Sequence, residues 1–110
     1  MKKIISIDLD GVLNTYDGNY KENTIAPIRE GAKEFLEKLA QKYNIEIYTV
    51  RKKSLVIDWL KKNSILDYIS EVTNIKNPLS TVFIDDRAVN FDGNFEKTIT
   101  QINKFKPFWN

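Results

Sequence analysis

Three short apolar runs constrain this chain more than any other feature: residues 3–7 (KIISI), 45–49 (IEIYT) and 80–84 (STVFI). The first is nearly continuous and β-branched, as a strand covered on both faces requires. Helical spacing fills the intervals. Ala32, Phe35, Leu36, Leu39, Ala40 and Tyr43 recur on one helical face, after a start between Pro27 and Gly31 and before an end at Asn44. Ser54 is suited to cap a second helix carrying Leu55, Val56, Trp59 and Leu60. A weaker element is expected over residues 68–73. A last helix from Phe95 carries Ile99, Ile102 and Phe105 and closes at Pro107, with Phe108 and Trp109 expected on the flank of the sheet. Such alternation predicts βαβ crossovers and one α/β domain over residues 1–110, a mostly parallel sheet with helices on both faces.

In open parallel sheets, ligands bind outside the carboxyl ends of the strands. The first strand ends at Asp8 and Asp10, the second at Thr49 with Arg51 following, and the third clear strand at Asp85 and Asp86. Lys76 is the only lysine between Asn63 and Asp85. Singly, each residue has an ordinary reading: a turn or cap aspartate, a strand threonine, a solvated lysine. Together they are costly, because two unit charges 4 Å apart repel by roughly 4 kcal/mol at an effective dielectric near 20. A fold with about 5–15 kcal/mol of stability tolerates four gathered carboxylates only with a cation.

Composition narrows the chemistry. The chain has 110 residues, 42% hydrophobic and 29% charged, with no cysteine and no histidine. Disulfides, thiolate or imidazole zinc sites, cysteine nucleophiles and histidine general bases are therefore excluded. Acid–base work falls to carboxylates, lysine or tyrosine, and any metal must accept oxygen ligands, which favours Mg²⁺, Mn²⁺ or Ca²⁺. The net charge of +2 is too mild to argue nucleic-acid binding by itself. The opening MKK is followed by an apolar run that ends at Asp8, too short for a signal peptide. No membrane-spanning stretch is read, and a cytoplasmic setting is the expectation.

Phosphoryl transfer fits these residues. Asp8 would be the nucleophile, forming an aspartyl-phosphate. Asp10, on the same side of an extended backbone, would protonate the leaving oxygen and later deprotonate the attacking water. Gly11 allows a sharp turn beside the phosphate. Mg²⁺ would bridge Asp8 and the Asp85–Asp86 pair. Thr49 would offer its hydroxyl and backbone N–H to a phosphoryl oxygen, and Lys76 would stabilise the phosphoryl charge.

DLDGV, beginning at Asp8, resembles motif I of the haloacid dehalogenase-like (HAD) superfamily. Thr49 is similar to its motif II, Lys76 to motif III and FIDD, ending at Asp86, to the paired-aspartate motif IV; the likeness spans residues 4–86. The resemblance implies a Rossmann-like core of layered α/β/α type and a Mg²⁺-dependent phosphohydrolase. It implies Asp8 as nucleophile and metal ligand, and Asp10 as acid/base with its main-chain carbonyl on the metal. Asp86 would be the more direct ligand of its pair, with Asp85 acting directly or through water. TVR at 49–51 with IDDR at 84–87 is similar to the phosphatase domain of bacteriophage-type polynucleotide kinase, and IDDRAVNFDGNF looks like small single-domain members of the superfamily.

Residues 13–26 leave room for a flap but not for a cap domain, so the site is expected to be open unless an oligomer covers it. An open site suits a large phosphorylated substrate, a nucleotide or nucleic acid among them. Arg51-Lys52-Lys53 reads equally as a contact to such phosphates or as a solvated loop. Tyr16 and Tyr20 read as flap packing, or as stacking partners for a base. A phosphotransferase using the same site and a non-catalytic phosphate-binding scaffold are the alternatives. A receiver domain would place its acidic pair first, and a Toprim domain would place a glutamate before its DxD.

Overall fold

The computed structural model describes residues 2–110. Its elements run β1 (Lys3–Asp8), α1 (Ala32–Ala40), β2 (Tyr43–Tyr48), α2 (Lys53–Lys62), a 3₁₀ turn (Leu66–Tyr68), β3 (Glu71–Thr73), β4 (Ser80–Ile84) and α3 (Phe95–Lys104). The four strands form one sheet in the order β3-β2-β1-β4, and every pairing is parallel. The alternating α/β organisation expected from the sequence is therefore present.

Register separates the two faces of this sheet. Ile5 and Ile7 stand opposite Ile45 and Ile47 on one side and Val82 and Ile84 on the other, with Val72 opposite Ile47. Paired residues share a face, so these side chains make one apolar surface. Leu36 of α1 and Val56, Trp59 and Leu60 of α2 bury its β1, β2 and β3 part as one cluster, with Ile84 packed against it and Val82 left outside. The opposite face carries Ser6, Glu46, Tyr48, Glu71 and Thr73, where Glu46 accepts from Asn77 and Glu71 from Lys53. No helix connects β3 to β4. On β4, Val82 and Phe83 are both exposed, and no residue of α3 is buried: Phe95, at 75% exposure, and Ile99 and Ile102 face solvent.

Local signals moved several boundaries. Tyr43 lies on the helical stripe by spacing, yet it pairs with Lys3 and opens β2, because α1 stops at Ala40. The second helix starts at Lys53, one residue before Ser54, and Lys52 caps it without a side-chain hydrogen bond. The weak element over 68–73 resolves into the end of the 3₁₀ turn and the three-residue β3. Among the described residues, no helix is long and apolar enough to cross a membrane.

Candidate active site

The chain leaves β1 through a tight turn. Asp10 has φ −72° and ψ 123°, and Gly11 has φ 86° and ψ −9°. These are the central angles of a type II turn, whose third residue needs a positive φ and so favours glycine. Close approach gives a second reason for glycine: a Cβ on Gly11 would collide with the Asp86 carboxylate and lie 2.9 Å from Trp109 Nε1. Asn14, fully buried, braces the turn by accepting from the N–H groups of Gly11 and Tyr16.

The flap that follows is closed at its base, where Arg29 N–H donates to Leu13 O and Thr15 N–H to Pro27 O. It overhangs a cleft of about 320 Å³ at the carboxyl ends of β1, β2 and β4. Asp8, Asp10, Thr49 and Asp85 line this cleft, together with Tyr16, Tyr20, Tyr48 and Arg87.

Asp8 and Asp85 of this lining meet Asp86, which is not part of the cleft wall, and the three offer carboxylate oxygens within 4.8 Å of one another. Burial, then a hydrogen bond with Asp86 and the charges of Asp85, Asp86 and Asp10, push the Asp8 carboxyl up to about 8. Burial also acts against ionised Asp86, but hydrogen bonds from Trp109 and Asp8 outweigh it and hold Asp86 below the usual carboxylate range. Asp86 Oδ1 is buried and has no hydrogen-bond partner. An orphaned buried carboxylate oxygen beside two further carboxylates suits a hard, oxygen-seeking divalent cation.

Asp10 belongs to a different arrangement. Arg51 Nε donates to Asp10 Oδ2 at 2.8 Å and Nη2 to Oδ1 at 3.1 Å, while Asn14 Nδ2 also donates to Oδ1. Oδ2 keeps a lone pair for a proton, but the carboxylate is not part of the three-acid cluster. The extended backbone that was to align Asp10 with Asp8 ends at Asp8, where the turn begins. Arg51 is not free for a substrate phosphate either. It is buried, its Nη1 donates to the carbonyls of Lys21 and Glu22, and its guanidinium lies 4.5 Å from the Tyr20 ring centroid. Of its neighbours in the basic run, Lys53 pairs with Glu71 at 2.8 Å.

Thr49 reaches the cleft, but its backbone N–H donates to Thr73 O and is spent on the sheet edge. Its hydroxyl oxygen accepts from Arg51 N–H and keeps its own proton to donate. Lys76 does not line the cleft; its Nζ sits 4.8 Å from the centroid of the Phe83 ring, on the polar face of the sheet. The link from β3 to β4 crosses that face, where Asn77 is anchored on Glu46. Phe108 and Trp109 are not on the sheet flank: Trp109 donates to Asp86 Oδ2, and Phe108 lies against Arg29. Asn14, Tyr48, Arg87 and Trp109 are the site neighbours that sequence reasoning missed. For Arg87, its place directly after the acidic pair was an available signal.

No family model matches the chain, and a search of curated proteins gives no match. Two solved structures share its fold. A conserved protein from Bacteroides thetaiotaomicron aligns with a TM-score of 0.61 and 21% identity, over 98% of this chain and 95% of that one. An uncharacterized protein from Listeria monocytogenes serotype 4b aligns with a TM-score of 0.52 and 22% identity, over 69% of this chain and 49% of that one. This chain thus spans about half of the Listeria protein.

Proposed function

We propose that this chain is a Mg²⁺-dependent phosphomonoester hydrolase working through an aspartyl-phosphate on Asp8. One observation carries the reading: Asp8 and Asp85, in the cleft wall, cluster with Asp86, which has a buried, unpartnered oxygen. With it goes the finer fold reading, a HAD-like three-layer core without a cap domain. The parallel order β3-β2-β1-β4, with acids after β1 and β4, supports it.

Asp8, Asp85 and Asp86 would hold Mg²⁺, which when bound supplies positive charge that favours ionised carboxylates and a polarised phosphoryl group. An ionised Asp8 oxygen attacks phosphorus, and the bond from phosphorus to the ester oxygen breaks. Asp10, protonated at Oδ2, gives that proton to the departing oxygen. Asp10 then takes a proton from water, whose oxygen attacks phosphorus, and the Asp8–phosphorus bond breaks to release phosphate. The Thr49 hydroxyl donates to a phosphoryl oxygen, and Arg87 in the cleft wall takes the substrate-anchoring role expected of Arg51. Three tyrosines in the wall suit a phosphomonoester carrying an aromatic ring, such as a nucleotide or a polynucleotide end. Hydrolysis of p-nitrophenyl phosphate with Mg²⁺, abolished by EDTA, is the expected result. Phosphate or nucleotide binding without turnover of any phosphoester would instead favour a non-catalytic phosphate-binding scaffold.

A further inference from the structure

Beyond α3 the chain returns to the strand edge, and Trp109 makes contacts there that neither the fold nor the proposed chemistry requires. Its indole Nε1 donates to Asp86 Oδ2. Its ring stands edge-on to Tyr16 of the flap, with centroids 5.3 Å apart and planes at 75°. A Cβ on Gly18, also in the flap, would lie 3.1 Å from the same ring. The neighbouring Phe108 ring lies 4.9 Å from Arg29 Cζ. Arg29 in turn donates to the carbonyls of Gly11, Val12 and Asn14, around the turn that Asp86 abuts.

An indole N–H only donates. It therefore fixes one oxygen of Asp86, and the other, Oδ1, is the buried oxygen without a partner. Groups that orient a ligating carboxylate in this way set how well a cation is held.

We propose that Trp109 is a positioning residue for the cation site: its N–H sets the Asp86 carboxylate, and its ring pins the flap that carries Tyr16. The proposal rests on the metal-dependent reading above. Calorimetric titration of the purified full chain with MgCl₂ tests it, comparing wild type with Trp109→Phe, which loses the N–H and keeps a ring, and Trp109→Ala, which loses both. Roughly tenfold weaker Mg²⁺ binding is expected for Trp109→Phe. Trp109→Ala should bind at least as weakly and show faster proteolysis within the flap, whereas Trp109→Phe keeps the flap protected. In a Trp59→Phe background, Trp109 is the sole tryptophan and its fluorescence should change on Mg²⁺ addition. Unchanged Mg²⁺ affinity in both Trp109 variants would overturn the proposal and leave the metal reading standing. Tighter binding would also overturn it, because Trp109 would then compete with the cation. Wild-type protein that binds no Mg²⁺ would sink the metal reading itself, and the proposal with it.

Discussion

Asp8 and Asp10 leave the same strand two residues apart, and their surroundings differ in kind. Around Asp10 the chain supplies its own compensation: Arg51, with a side chain 2% exposed, pairs with it on two oxygens, and Asn14 adds a third hydrogen bond. Around Asp8 it supplies burial and more acid, Asp85 and Asp86, and together these push the Asp8 carboxyl up to about 8. Charge balanced inside the fold builds a rigid wall, here tying β2 to the flap. Charge left unbalanced is what the proposed cation would answer.

That contrast can be broken experimentally from either side. The largest effect is expected from Asp8→Asn, which should cut phosphatase turnover on the order of 10³-fold or more with the fold intact. Steady-state rates with p-nitrophenyl phosphate and circular dichroism check it, and near wild-type turnover would rule out covalent catalysis at Asp8. On the compensated side, Arg51→Met should destabilise by about 3 kcal/mol, because it strands Asp10 and releases the flap carbonyls. Urea melts measure this, and a loss under 1 kcal/mol would mean that the pair is not structural.

Saturating Mg²⁺, at about 100 times its dissociation constant, should stabilise the wild type by about 2.7 kcal/mol and Asp86→Asn by much less. Equal shifts in thermal melts would move the cation elsewhere.

A subtler test uses pH in EDTA. The Asp8 pKa is raised in the fold, so its contribution is complete below the unfolded value near 3.8 and is lost as pH rises to about 8. Asp86, with a lowered pKa, works the other way, losing its contribution only in acid. Between pH 5 and 8, metal-free wild type should therefore lose stability relative to Asp8→Asn. Parallel pH profiles would show that Asp8 carries no such strain. The smallest effect belongs to Lys76→Met, within about 0.5 kcal/mol in stability, since its ammonium rests on an exposed Phe83 ring. A large loss of turnover in that variant would place Lys76 at the cleft during catalysis.

The legible and illegible parts of this molecule divide along the same line. Strands β1, β2 and β4 were readable because each is a local run whose own residues state its period. The acids at their ends were readable because a parallel sheet gathers strand ends at one edge. The start of β2 slipped, because Tyr43 satisfies both a helical stripe and a strand. The fate of α3 was not legible: its apolar stripe predicts a partner face, yet Phe95, Ile99 and Ile102 are exposed.

Sequence by itself determined the alternating α/β order, the absence of thiol and imidazole chemistry, and the position of Asp8, Asp10, Asp85 and Asp86 at or just past the ends of their strands. Tertiary structure alone decided which of these carboxylates meet and what answers each charge. Arg51 reaches Asp10 across 41 positions, and Trp109 reaches Asp86 across 23. Lys76 is carried onto Phe83 by a link that crosses the polar face of the sheet. The physical reason is the range of the signal. Backbone periodicity is written in consecutive residues, whereas the partner of a charge is set by which loops the folded chain brings past it.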